Sequence, residues 1–267
     1  MSPILNRIAR LCMIGAGSVA LASAAQAAPA IGLVDDRTLV WFETTTGEVM
    51  NMVEVEGVER LHGIDIRPAD GMLYGLAENN HLVTIDLETG MATEGAMLSE
   101  MLREGVTASF NFNPVPDRLR VMGSDGTNFR IHPDTGEVTV DGDLNFEAGD
   151  MNAEADPNIV ATAYTNGMVG AEAPESTSMW DIDASLGALI RQTAPNDGTL
   201  ATIGMLGVDA DHYAIDFETR GIDDNVLWLV AGNGVYTVDL ESGAAVMEAE
   251  LEGVDGTVRD ITILPAM

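Results

Sequence analysis

Asp65, Asn111, Ala163, Asp216 and Thr262 occupy one and the same place in five short apolar runs, Ile64 to Ile66, Phe110 to Phe112, Thr162 to Tyr164, Ile215 to Phe217 and Arg259 to Pro265. If the fold gathers these runs, it also gathers a ring of carboxylates and amides. Such a ring could hold a cation or a sugar, or could supply a general acid and a general base. For a hydrolase acting on a glycan or a phosphoester, Asp65 and Asp216 are the carboxylates and His62 the neighbouring base or hydrogen-bonding partner. Glycoside chemistry would need the two carboxyls roughly 5 to 10 Å apart in an open pocket, with no arginine neutralising them. The plainer reading is a hydrated channel whose carboxylates are satisfied by water and by arginines such as Arg67 and Arg259.

A second group of residues could bind without reacting. Arg118, Arg120 and Arg130 fall close together in a chain with few cations, and with Asn111 and Asn113 they could grip an anionic ligand. Asp117, Asp125 and Asp134 are near enough to neutralise them instead. Arg191, Asn196 and Asp197 belong to a segment longer than its counterparts, and long loops on a rigid scaffold are where binding residues concentrate. No cofactor is expected. Asp141, Asp143 and Asn145 alternate as the oxygen ligands of a calcium site do, but Phe146 and Asn152 stand where a calcium loop needs glycine and a bidentate glutamate. Four scattered histidines leave zinc without a ligand set, and no nucleophile elbow, phosphate-binding loop or dinucleotide fingerprint is present. Trp41, Trp180 and Trp228 sit within strand-like runs and read as packing rather than sugar platforms.

What must position these residues is a repeat. In Leu61 to Gly90, three apolar runs are separated by Ala69-Asp70-Gly71 and Glu78-Asn79-Asn80, which have the chemistry of turns between antiparallel strands. Met91, Ala96 and Met97 supply a weaker fourth. Tyr74 to Gly90 aligns without gaps to Ile31 to Gly47 and to Arg120 to Gly136, and with one deletion to Trp228 to Gly243. The turn glycines stand at 47, 90, 136, 198 and 243, so the fourth copy carries an insertion. Four antiparallel strands in about 45 residues make one propeller blade, and a blade needs neighbours to cover its faces. The expectation is an all-β, five-bladed propeller. The first copy lacks its leading strand and Arg259 to Pro265 lacks a following copy, so the C-terminal strand should complete the N-terminal blade and close the ring.

Residues 1 to 27 read as an export signal of the general secretory type. Arg7 and Arg10 precede the apolar stretch Leu11 to Ala25, and Ala25-Gln26-Ala27 is a small-residue cleavage site. Cleavage after Ala27 would remove Cys12, the only cysteine, and leave one domain over 28 to 267 in the periplasm or outside the cell. That chain would carry ten arginines, no lysine and 43 acids, or about 33 negative charges. This surface repels nucleic acid and anionic lipid, so neither is expected as a partner, and no membrane insertion is expected after cleavage.

The strings Phe110-Asn-Phe-Asn-Pro-Val-Pro-Asp-Arg-Leu-Arg-Val121, Gly126-Thr-Asn-Phe-Arg130, Ala163-Tyr-Thr-Asn166 and Gln192-Thr-Ala-Pro-Asn-Asp-Gly-Thr-Leu200 carry a family resemblance. From about residue 37 to 245 the chain resembles the bacterial domain of unknown function 4394 family, with Ala194-Pro195 where that family usually has two prolines. The resemblance implies an exported propeller-like domain and brings no activity, cofactor or catalytic residue. The leading functional reading is therefore a monomeric, non-catalytic module that binds a small molecule or a protein on one face of the disc. The hydrolase is its rival, and a purely structural envelope protein is a third reading. The charge gives one test: because self-repulsion is screened within about 8 Å at physiological ionic strength, the melting temperature should rise with sodium chloride, and a salt-independent curve would refute the charge argument.

Overall fold

The computed structural model describes residues 27 to 103 and 105 to 265, so the segment read as an export signal, Ala27 excepted, lies outside the described residues. Blade 1 contributes β1 (Pro29–Val34), β2 (Thr38–Glu43) and β3 (Val49–Glu54). Blade 2 holds β4 (Leu61–Ile66), β5 (Leu73–Ala77), β6 (His81–Ile85) and β7 (Ala92–Met97). Blade 3 is β8 (Ala108–Asn113), β9 (Arg118–Gly123), β10 (Asn128–Ile131) and β11 (Val138–Val140). Between blades 3 and 4 lies the two-residue β12 (Asn145–Phe146), followed by β13 (Ile159–Tyr164), β14 (Met179–Asp183), β15 (Ala188–Ala194) and β16 (Thr199–Met205). Blade 5 is β17 (Tyr213–Gly221), β18 (Asp224–Ala231), β19 (Gly234–Val238) and β20 (Ala245–Glu250), and the last strand is β21 (Val258–Ile263).

Each blade is an antiparallel sheet in chain order, with two departures. β21 lies beside β1, with Ile31 opposite Thr262 and Gly32 opposite Ile261, so the last strand is the innermost strand of the first blade and the ring closes as the repeat required. β12 adds a fifth, parallel strand outside β16, so part of the stretch 141 to 158, which looks irregular in sequence, is paired. The pairing is local: only Asn145 and Phe146 engage, opposite Thr199 and Leu200.

The apolar pattern tracks position in the blade. β5 and β14 are buried along their whole length, because blades cover them on both faces. The outer strands β3, β7 and β20 share a single pattern in which only the first and fifth residues are partly covered. The core is correspondingly divided into five clusters, one per seam. Phe42, Trp228 and Ile261 meet between blades 5 and 1, Leu33, Leu61 and Leu73 between 1 and 2, and Leu76, Phe110 and Leu119 between 2 and 3. Met122, Met179 and Leu200 meet between 3 and 4, and Trp180, Ile215 and Leu229 between 4 and 5.

The repeated turn glycines do more than turn the chain. At Gly47, Gly90, Gly136 and Gly243, with φ between +68° and +77°, a Cβ would lie 2.0 to 2.9 Å from backbone carbonyl oxygens of Glu250, Glu54, Met97 and Gly204, each in the preceding blade. The turn of one blade thus packs on the outer strand of the last, and only hydrogen fits. Gly136→Ala should therefore cost several kcal/mol in urea unfolding. Gly126→Ala, with φ +85° and nothing within 4 Å, should lose only the left-handed backbone penalty of about 1 kcal/mol. Removing residues 258 to 267 should unfold the whole ring; a truncated chain that melts like the full-length protein would refute closure by β21.

Candidate functional site

Because β4, β8, β13, β17 and β21 are the inner edges of their sheets, alternate backbone N–H groups on them have no sixth strand to bond. The side chains at the equivalent inner position answer this need across the seams. The Asp216 carboxylate accepts from Ile263 N–H (2.7 Å), Thr262 Oγ1 from Ile66 N–H (3.2 Å), Asp65 from Phe112 N–H (2.7 Å) and Asn111 Oδ1 from Tyr164 N–H (2.9 Å). The fifth member, Ala163, has no acceptor to offer blade 5. A second tier two residues earlier repeats the arrangement at two seams, with Asp260 accepting from Ile64 N–H and Ser109 from Thr162 N–H. Thr262 Oγ1 also donates to Asp65, and Asn111 Nδ2 to Asp216. The ring carboxylates accept from backbone N–H groups and from Thr262 and Asn111, and Arg67 and Arg259, which the sequence suggested as their partners, are engaged elsewhere. Arg67 instead serves Asp70, Asp117 and Asp134, and Arg259 donates to the carbonyls of Asp35, Asp36 and Leu61.

Electrostatically this centre is costly for charge. Burial, reinforced by the neighbouring Asp216, pushes Asp65 well above the ordinary carboxylate range, and burial raises Asp216 and Asp260 in the same direction. His62 stands at the opposite end of β4 from the Asp65 pocket. Burial first, and then the charges of Arg60 and Arg259, lower it to about 4, and its Nδ1 has no hydrogen-bond partner. Asp65 and Asp216 thus line one small cavity, of about 30 Å³, with Asn111, Thr262 and Tyr164, and His62 does not.

The mouth above that cavity is covered by the β13–β14 connection, residues 165 to 178. Part of the extra length of the fourth copy lies here, over the axis, and the rest lies in the connection 141 to 158 that carries β12. Gly170 N–H donates to Pro68 O (3.0 Å), and Val169 packs close to Gly71. Asn166, held at φ +65°, fixes the base of the cover. Its N–H donates to Asn225, its side-chain oxygen accepts from Asp223 N–H and Asn225 Nδ2, and its amide nitrogen donates to Ser176 O. Beside the cover lies a pocket of about 530 Å³, lined by Met168, Val169, Phe217, Ile263 and Leu264 with Glu218, Arg220 and Asp224 at its polar edge. Sequence reasoning missed this pocket. The only signal was the extra length of the fourth copy, which does not say which strands it separates.

The arginine group resolves into internal pairs. Arg120 is 2% exposed and spans the seam between blades 3 and 4, bonding Asn128, Asp141, Asn196 and Tyr164. Arg130 donates to both Asp141 oxygens, sharing one of them with Arg120, and Arg118 donates to the carbonyls of Pro116 and Asp117. For Asp141 burial is the largest single influence and pushes upward, but Arg130 and Arg120 together outweigh it and hold the carboxyl below the usual range. Asp143 and Asn145 are tied within their own turn, Asn145 Nδ2 donating to Asp143 O. The Asn196 loop is docked on blade 3 because Gly142 N–H and Asn128 Nδ2 bond the carbonyls of Asn196 and Pro195. Asp197, beside it, is exposed. Arg191 lies over the Trp180 ring, 4.8 Å from its centroid, and donates to Ser178 Oγ. Asn113 caps its own turn through Val115 N–H.

One buried acid stands apart. Asp181 is fully buried beside Thr162 and Gln192, which approach its carboxyl and favour the charged form but leave both oxygens short of hydrogen-bond geometry. Burial raises it to about 7.

Comparison with known proteins places residues 38–262 in the family described as Domain of unknown function (DUF4394). No curated protein matches. Among solved structures, a protein of unknown function from Bacteroides thetaiotaomicron superposes with TM-score 0.51 at 13% identity, over 91% of this chain and 68% of that one, which supports the fold alone. A protein of unknown function from Bacteroides caccae matches at TM-score 0.42 and 13% identity, over 82% and 72% of the two chains. An auxiliary nutrient binding protein from Bacteroides thetaiotaomicron matches at TM-score 0.45 and 11% identity, and the 74% of this chain that aligns spans 56% of that protein.

Asp181 sets a pH dependence. Its folded value lies above its unfolded one, so its contribution to stability is complete below about pH 4 and is lost as pH rises through about 7. Asp181→Asn, which mimics the neutral acid, should melt later than the parent by a small margin at pH 5 and by a larger one at pH 8. Equal melting at both values would show that Asp181 does not titrate in this range.

Proposed function

The chain belongs to the Domain of unknown function (DUF4394) family, a description that assigns no activity, and we propose from the geometry of the site that it is an exported, non-catalytic binding module. The observation that carries this reading is the pocket of about 530 Å³ beside the cover loop. It has the size of a small-molecule site, its walls are mainly apolar, and Glu218, Arg220 and Asp224 could orient a ligand at the edge. The scaffold beneath it is rigid, because the inner strands are latched to one another, and Asn166 fixes the base of the loop that forms one wall. Preorganisation of this kind lowers the entropic cost of binding. The ligand is a small molecule or a protein segment able to bury an apolar group, and the working place is the periplasm or the medium, reached through the signal that ends at Ala27.

The hydrolase reading draws no support from the same geometry. Asp65 and Asp216 face a cavity of about 30 Å³, on the scale of one water molecule, and each carboxylate already accepts a backbone N–H. A substrate would have to open the seams to reach them.

A thermal-shift screen of residues 28 to 267 against sugars, nucleotides, acylated amino acids, calcium and EDTA tests the binding reading. A pocket ligand at a hundred times its dissociation constant should stabilise by about 2.7 kcal/mol. Val169→Asp should abolish that shift, and its unliganded melting curve, measured alongside, should remain a single cooperative transition because Val169 is 36% exposed. A ligand whose shift survives Val169→Asp binds elsewhere and overturns the assignment.

A further inference from the structure

Methionine is ordinarily a core residue, valued for filling irregular gaps. Here the distribution is inverted. Of the twelve methionines among the described residues, nine are at least 46% exposed: Met50, Met52, Met72, Met91, Met97, Met101, Met151, Met205 and Met247. Met122 and Met179 alone are buried, in the seam between blades 3 and 4, and Met168 is partly covered.

Five of the nine lie on the outermost full-length strands, β3, β7, β16 and β20. The register of three of these strands shows that packing does not require the thioether. β3, β7 and β20 have the same burial pattern, with positions two, three, four and six open to solvent. Methionine takes positions two and four in β3, six in β7 and three in β20, filling four of the twelve exposed places with no fixed partner. Half of the eight places it leaves are held by acids, Glu54, Glu94, Glu248 and Glu250, which keep the rim wet and discourage edge-to-edge pairing.

We propose that the rim of the propeller is a set of sacrificial methionines that consume neutral two-electron oxidants, such as hydrogen peroxide, without loss of the fold. In each event the thioether sulfur attacks one peroxide oxygen, an S–O bond forms as the O–O bond breaks, and proton transfer releases water. Sulfur is oxidised by two electrons to the sulfoxide and the peroxide is reduced by two. An uncharged oxidant approaches this acidic surface without electrostatic penalty, whereas an anionic one is repelled. A sulfoxide on β3, β7, β16 or β20 projects into water and leaves the strand ladders intact. The same oxygen on Met122 or Met179 would bury a polar group in a packed seam. Rim sulfoxides on a folded surface also remain open to enzymatic reduction, which would make the sink reusable.

The test is graded hydrogen peroxide treatment of residues 28 to 267, with peptide mapping by mass spectrometry and melting on the same samples. The nine exposed thioethers should each gain one oxygen while Met122 and Met179 stay reduced, and the melting temperature should move by no more than about 3 °C, equivalent to roughly 1 kcal/mol. Early oxidation of Met122 or Met179, or a collapse of melting once the rim is oxidised, overturns the proposal. A variant with Met50→Leu, Met52→Leu, Met97→Leu and Met247→Leu supplies the second arm. Mixed with a methionine reporter peptide under limiting peroxide, it should protect the reporter less than the parent does, by roughly the share of thioethers removed. Undiminished protection overturns the proposal as well.

Discussion

Every blade has an inner edge, and an inner edge leaves backbone N–H groups facing an axis that a sixth strand cannot occupy. Desolvating such donors without partners would cost on the order of 1 to 3 kcal/mol each. The chain meets the requirement with side-chain acceptors carried on the preceding blade, at Asp216, Thr262, Asp65 and Asn111, each reaching over its seam to the next strand. Because the acceptors alternate with apolar residues along each strand, the ring of latches and the five apolar seams arise from one period-two pattern.

This arrangement explains why the centre is full of acids that titrate unusually. A carboxylate that must sit at the axis loses its water, so Asp65, Asp216 and Asp260 are held toward their neutral forms by burial, while the N–H bonds they accept pull the other way. The exception is instructive. At Ala163 the acceptor is missing, and the seam between blades 4 and 5 is instead joined at the mouth by Asn166, Asp223 and Asn225, where the cover loop begins. The large pocket is lined by Phe217 to Arg220 of blade 5 and by Ile263 and Leu264 of blade 1, with the cover loop as its third wall.

Surface charge and surface sulfur belong to the same economy of a fold that places nearly all its apolar area in the seams. With the core divided among the blades, the outer strands carry little packing responsibility, and their exposed positions are free to hold acids and thioethers. The family strings follow a different logic. Asp117, Arg120, Asn128, Asn166 and Asn196 recur in them as turn-closing and seam-closing groups, so the string that identifies the family is largely a description of how blades 3, 4 and 5 are joined.

Much of the architecture was legible in the linear chain, because strand pleat and turn chemistry are local. The five copies, the turn glycines, the missing first strand and its return as Arg259 to Pro265 all follow from period and spacing. Even the equivalence of Asp65, Asn111, Ala163, Asp216 and Thr262 is visible there. What those residues touch is not, since Phe112 N–H meets Asp65 and Ile263 N–H meets Asp216 only when separate sheets are rotated about a common axis. The same holds for Arg120, whose partners Asp141 and Asn196 lie 21 and 76 residues away, and for the cover loop, whose length was evident but whose place over the mouth was not. The sequence determined which strands form and in what order; tertiary structure decided which polar groups are consumed in holding the ring and which surfaces remain for a ligand, because hydrogen bonds across seams depend on distances in space rather than along the chain.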